Sequence, residues 1–230
     1  MATHQQYIEL LCSLPHLANP FRYKRPAITR VQLQKRMTML DQQDLHWLQK
    51  LNEAFYWGGI TLHEDEVSLI NKANRFLAGI PYRDIQEWLE WRMDVRTVVA
   101  AIRRRKQGED APAIRDNWGY GRYVRQIVNN WSSPYFKLEY HFPWLPDVVD
   151  GIETGESFKV EQILLNAVWH YYAMQKPETP YGFSAVVLYV AKWDLVDRWC
   201  KYNADRAGEH FDELVNDSLK KSMLTLKDMA

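Results

Sequence analysis

Seven histidines, two cysteines and scattered carboxylates are the side chains from which this chain would have to build reactive chemistry. His4, His16, His46, His63, His141, His170 and His210 include no pair spaced i, i+4, and neither Cys12 nor Cys200 has a second cysteine nearby. A tetrahedral metal site needs such clustered ligands, so no metal is expected. Glu209-His210 with Asp212 and Glu213 is the sharpest local cluster, and a solvated helix face accounts for it. No Gly-x-x-x-x-Gly-Lys phosphate loop is present, and Gly119-Tyr120-Gly121 lacks the third glycine of a dinucleotide fingerprint. Ser184 follows Gly182 without the second glycine of a nucleophile elbow. Glu87 and Glu90 lie one helical turn apart, where pairing with Arg83 and Arg92 explains them better than a scissile bond does. The expectation is a protein that is not an enzyme and takes no cofactor.

A second constellation is basic and aromatic. Arg103, Arg104, Arg105 and Lys106 are followed by Arg115, Trp118, Tyr120, Arg122, Tyr123 and Arg125. Aromatic rings stack on bases while arginines hold phosphates, so this region is the best candidate for binding nucleic acid. Against it, Glu109, Asp110 and Asp116 complement the cations, and lysine plus arginine equals aspartate plus glutamate at 29 each. A dedicated nucleic-acid domain is normally basic. A helix terminus or a protein-contact surface is therefore favoured, and nucleic-acid binding is kept as the alternative.

The element that must position these cations runs from Pro81 to Gly108. Ile85, Trp88, Val95, Val99 and Ile102 recur at helical spacing with Arg92 on the same stripe, and the basic run falls at the dipole's negative end. Before it, the spacing predicts helices over 29–40, capped by Thr29, over the stretch opened by Asp41 and closed by Trp57-Gly58-Gly59, and over 63–78. The opening apolar element from Tyr7 to Leu14 fits either helix or strand. After the helix, 107–113 reads as a hinge, and 113–131 as a helix with Gly119 and Gly121 inside it. Two interior glycines cost roughly 2 kcal/mol against alanine, which predicts a break or a close contact there. Residues 134–155 read as an irregular aromatic layer, 156–174 as a helix, and 181–223 as a long helical stretch with a break near Gly208. The fold class is all-α, in an N-terminal helical lobe over 1–110 and a C-terminal one over 111–230, or in one continuous domain.

In the helix after Pro180, Phe183, Val186, Val187 and Val190 form an apolar stripe that runs on into Asp194 and Asp197. Buried acids need partners. Arg92 and Arg96 are the cations expected to meet them, which would set the register between the two long helices.

These two helices also carry a resemblance. EWLEWRMDVRTVVAAIRRRKQG resembles the repeated motif of the V-type ATPase subunit called d in eukaryotes and C in prokaryotes, with matching positions Asp94, Arg96 and Thr97. Thr97 stands where that motif has Asn. LYVAKWDLVDRWCKYN is similar to the same motif, with Asp194 as the acid and Asp197 in place of Asn. The opening YIELLCSLPHL is similar to a bacterial family that accompanies V-type ATPase genes. The resemblance implies an elongated, all-helical, non-catalytic central-stalk connector between the proteolipid ring and the rotor shaft. Its partners would be those subunits, and ion transport its wider role. With no apolar signal segment and no apolar run near the ~20 residues of a membrane span, the expected location is cytoplasmic, peripheral to the inner membrane.

Overall fold

A computed structural model of the chain describes residues 4–55, 66–113 and 118–203. Among them every regular element is helical: α1 His4–Ser13, a 3₁₀ turn Pro20–Arg22, α2 Arg30–Met37, α3 Gln42–Phe55, α4 Glu66–Ala78, α5 Arg83–Lys106, α6 Val124–Asn129, α7 Leu145–Thr154 and α8 Ser157–Met174. A further helix, α9, covers the described residues 183–203. The all-α expectation holds.

The starts of these helices follow their sequence signals. Thr29 and Gln32 form a reciprocal capping box at α2, and Asp41 Oδ1 accepts from the Asp44 backbone N–H at 2.7 Å to open α3. The ambiguous opening segment is the helix α1. Trp57-Gly58-Gly59, the start of the 63–78 helix and the break near Gly208 lie outside the described residues.

Two expectations are corrected. No helix runs from 113 to 131: the described residues before α6 form a loop, and only Val124–Asn129 are helical. Gly119 and Gly121 take φ of +72° and +100°, which a right-handed helix does not accommodate. The stretch 134–155 is not irregular throughout, since nearly its last half is α7. There Pro146 occupies the first turn, the one helical position that tolerates its missing N–H.

The core explains why α5 organises the chain. Its first turns put Ile85, Trp88 and Leu89 into an apolar cluster with α1, α2, α3, α8 and α9 residues, including Leu10, Leu51, Val168 and Trp193. Its second half puts Val95, Val98, Val99, Ala101 and Ile102 into another cluster with Ile127, Phe136, Phe142, Val148 and Leu164. Each fully buried Val, Leu, Ile or Phe among them contributes about 1.5–3 kcal/mol relative to exposure. Both clusters draw on residues from either side of position 110. In the second, Gly151 lets α7 approach α8 closely, because a Cβ there would stand 2.8 Å from Val160 Cγ2.

Candidate functional site

The buried face of α5 carries polar groups as well as apolar ones. Asp94 is wholly buried at the level where one cluster gives way to the other. Its Oδ1 accepts from the Arg122 backbone N–H at 2.8 Å, and its Oδ2 from Arg122 Nε and Nη2 at 2.9 and 2.7 Å. One turn on, Thr97 Oγ1 accepts from the Tyr120 N–H at 2.9 Å and donates to the Tyr120 carbonyl at 2.7 Å. The loop 119–122 is thus clamped to the helix through its backbone.

Both glycines are required by that approach. A Cβ on Gly121 would fall 2.0 Å from Asp94 Oδ1, and one on Gly119 would fall 2.8 Å from Thr97 Cγ2. Burial works against the charge on the Arg122 guanidinium, but the hydrogen bond and charge of Asp94 carry it above the usual arginine range.

A second clamp sits on α9. Arg30 Nη2, from the first turn of α2, reaches Asp194 Oδ1 at 3.1 Å and Asp197 Oδ2 at 2.9 Å, while its guanidinium lies 4.9 Å from the Trp193 ring centroid. Lys201 adds a 2.9 Å contact to Asp197. Burial raises the Asp194 carboxyl above its ordinary range, and the Arg30 charge opposes that rise. For Arg30, burial lowers the guanidinium, whereas hydrogen bonding and charge from Asp197 and Asp194 leave it raised.

The two long helices do meet, at their N-terminal ends. Asp84 Oδ1 accepts from Ser184 Oγ at 2.8 Å, Asp84 Oδ2 accepts from the Glu178 N–H at 3.1 Å, and the Tyr82 and Phe183 rings lie 4.8 Å apart. The arginine that bridges Asp194 and Asp197 is Arg30. Arg92 is buried: desolvation pulls its guanidinium down, and Tyr172, then Glu161 and last Asp194 oppose that fall. Arg96 is half-buried and lowered by desolvation and then by the neighbouring charge of Arg92.

The basic end of α5 is largely turned to internal use. Arg104 Nε reaches Glu109 at 2.7 Å, and its guanidinium lies 5.5 Å from the Trp118 ring centroid. Arg105 donates to the carbonyls of Ser133 and Pro134 at 2.5 and 2.6 Å and covers Phe136. Lys106 Nζ donates to the Ile152 carbonyl. Arg105 thereby fastens a turn in which Phe136 and Lys137 both take positive φ, a strained pair held by the surrounding bonds. Trp118 is buried, Tyr120 is half-buried against the first cluster, and Arg103 and Arg125 are exposed.

Three participants carry no sequence signal strong enough to single them out. Asp44 is buried between Tyr7 Oη and Tyr82 Oη, the latter at 2.5 Å, and burial followed by the Asp44 hydrogen bond drives both phenols well up. Asp84 reads from sequence only as an acid favoured in a first turn. Arg30 reads only as the residue after a cap, and nothing in the spacing ties it to positions more than 160 residues away. Chemically, Asp44, Asp84 and Asp94 are acceptors occupied by internal donors, a role of fastening. Among the described residues no group of three His, Cys, Asp or Glu is placed to hold a metal, and no helix is long and apolar enough to cross a membrane.

Residues 68–223 match the family model described as Protein of unknown function (DUF2764). The chain belongs to this family. The matched span runs from α4 through α9 and holds the Asp94 clamp whole, together with Asp194 and Asp197, whereas Arg30 and Asp44 precede it. No curated protein and no solved structure matches the chain.

Proposed function

We propose that this chain is a non-catalytic structural subunit of a bacterial V-type ATPase, a helical connector between the proteolipid ring and the central rotor shaft. In this reading it is cytoplasmic and peripheral to the inner membrane, and it contributes to ATP-coupled ion transport through protein contacts alone. The observation that carries it is the repeated use of one device. In each of the two motif-bearing helices, a buried-face acid grips an arginine that brings in a segment from elsewhere: Arg122 on Asp94, and Arg30 on Asp194 and Asp197. A connector under torque needs such cross-linking of its helices, because packed apolar faces alone slide more readily than faces joined by charge-assisted hydrogen bonds.

Purification of the tagged chain in mild detergent from cells expressing the ATPase tests this. The expected result is co-recovery of proteolipid and shaft subunits, and their absence from the purified material sinks the reading. The nucleic-acid alternative is weakened by the internal partners of Arg104, Arg105 and Lys106. It would be revived by binding of single-stranded nucleic acid that weakens steeply with salt.

A further inference from the structure

A cleft of about 350 Å³ opens between the end of α1 and α2, a volume in the range of small-ligand sites. Pro15, Ala27 and the exposed edges of the buried Leu14 and Ile28 supply its apolar lining, and Gln32 and Arg36 give it a polar side. Arg36 is half-buried, and among the described residues no carboxylate lies within ion-pairing distance of it. Arg36 lies in the last turn of α2, whose negative pole suits its charge, and its guanidinium N–H donors remain without a carboxylate among the described residues to bind.

Most of the neighbouring polar groups are already paired within the chain. Gln32 Oε1 is committed to the Thr29 N–H and hydroxyl at 3.0 and 3.2 Å, which leaves the amide Nε2 as a donor. The Ser13 hydroxyl hydrogen is used on the Leu10 carbonyl. Tyr189 Oη donates to the Pro15 carbonyl at 2.8 Å and so ties this rim to α9, and the Arg36 charge acts on the same phenol.

The charge of the ligand follows from the balance around it. One guanidinium fork matches one carboxylate in plane and spacing. α1 ends at Ser13 and α2 at Met37, so both adjoining helix ends present their negative poles, which oppose any anion and a dianion such as phosphate more strongly than a monoanion. We propose that this cleft binds a small monocarboxylate with an apolar body, its carboxylate on Arg36 and Gln32 and its body against Leu14, Pro15 and Ile28. The inference does not depend on the connector reading.

The exposed thiol of Cys12 lines the cleft while Cys200 is buried, so alkylation of Cys12 reports on occupancy. The full chain is labelled with iodoacetamide in the presence of 4-phenylbutyrate, with 4-phenylbutyramide and inorganic phosphate as comparisons. The expected result is saturable protection by the acid, with labelling slowed about tenfold at tenfold excess over its Kd. The amide and phosphate should give none. Arg36→Gln, checked for folding by circular dichroism, should weaken protection by about tenfold or more. Ala27→Trp, which fills the cleft, should abolish it. Absence of protection at about 10 mM acid, equal protection by the amide or by phosphate, or undiminished protection in Arg36→Gln overturns the proposal. The wild-type comparisons decide it even where a variant does not fold.

Discussion

At the scale of single residues, the Asp94 clamp concentrates the largest expected effects. Replacing Gly121 by alanine forces a Cβ onto the Asp94 carboxylate and a side chain into a left-handed backbone. A loss of about 2–4 kcal/mol is expected, combining strain and a displaced charged hydrogen bond, and the urea midpoint measures it. Arg122→Ala leaves the buried carboxylate with only the backbone N–H of residue 122, so about 3 kcal/mol should go, although the arginine itself is more than half exposed. By contrast Arg30→Ala, whose side chain is 47% exposed, should cost about 1 kcal/mol or less. Asp194 supplies a signed dependence on pH. Its folded carboxyl is raised above the ordinary value of 3.8, so the folded chain binds more protons than the unfolded one just above that value. Asp194 therefore contributes a penalty that appears as pH rises through its folded pKa and vanishes below the unfolded one. Asp194→Asn should flatten the stability–pH curve in that acid window, as successive urea titrations will show.

At the scale of elements, α7 against α8 is the crossing most sensitive to one added methyl group. Gly151→Ala should destabilise by about 1–3 kcal/mol unless Val160 shifts, read from thermal denaturation. The same scale shows which parts of the fold are legible in sequence. α2 and α3 announce themselves through caps, and α5 and α8 through 3.6-residue apolar spacing, all of it local information. α7 is hidden because Pro143 and Pro146 flank its start among aromatics, and proline reads as a breaker unless its place in a first turn is already known. The glycine pair is legible as a disturbance of a helix, but whether it breaks the helix or meets a neighbour depends on Asp94, 27 residues earlier than Gly121. Of the site, Asp94, Arg122, Asp194 and Asp197 are all singled out in sequence, Asp94 by a motif resemblance and Arg122 as part of a possible interaction surface. Their pairing is not, because complementary charges on exposed and buried faces look alike until the chain is folded. Arg30 and Asp44 illustrate the limit, since each gains its role only from a partner far along the chain.

At the scale of the whole molecule, buried phenols set the alkaline boundary. Burial pushes Tyr171, Tyr172 and Tyr189 up to about 12 from an ordinary 10.0. Between those values the unfolded chain has released phenolic protons that the folded one retains, so stability should fall steadily over that span. Absorbance titration of the phenolate band should show a late-ionising group of tyrosines that moves to ordinary values in urea. The N-terminal segment is also bound into the rest: Trp193 Nε1 donates to the Ile28 carbonyl at 2.9 Å, and the Phe21 and Trp199 rings meet edge-on at 4.7 Å. Folding of α9 is thereby coupled to residues that precede it by most of the chain length.

The course of α5 through both apolar clusters has a consequence for how the molecule breathes. A helix exposed along one side can fray or lift while its neighbours stay in place. α5 cannot, because its first half is seated in one cluster and its second half in the other. Opening any central turn removes apolar cover from two sets of neighbours together. The amides from Ile85 to Ile102 are thus governed by the global transition, and their exchange with solvent deuterium marks the time for which the entire body stays shut.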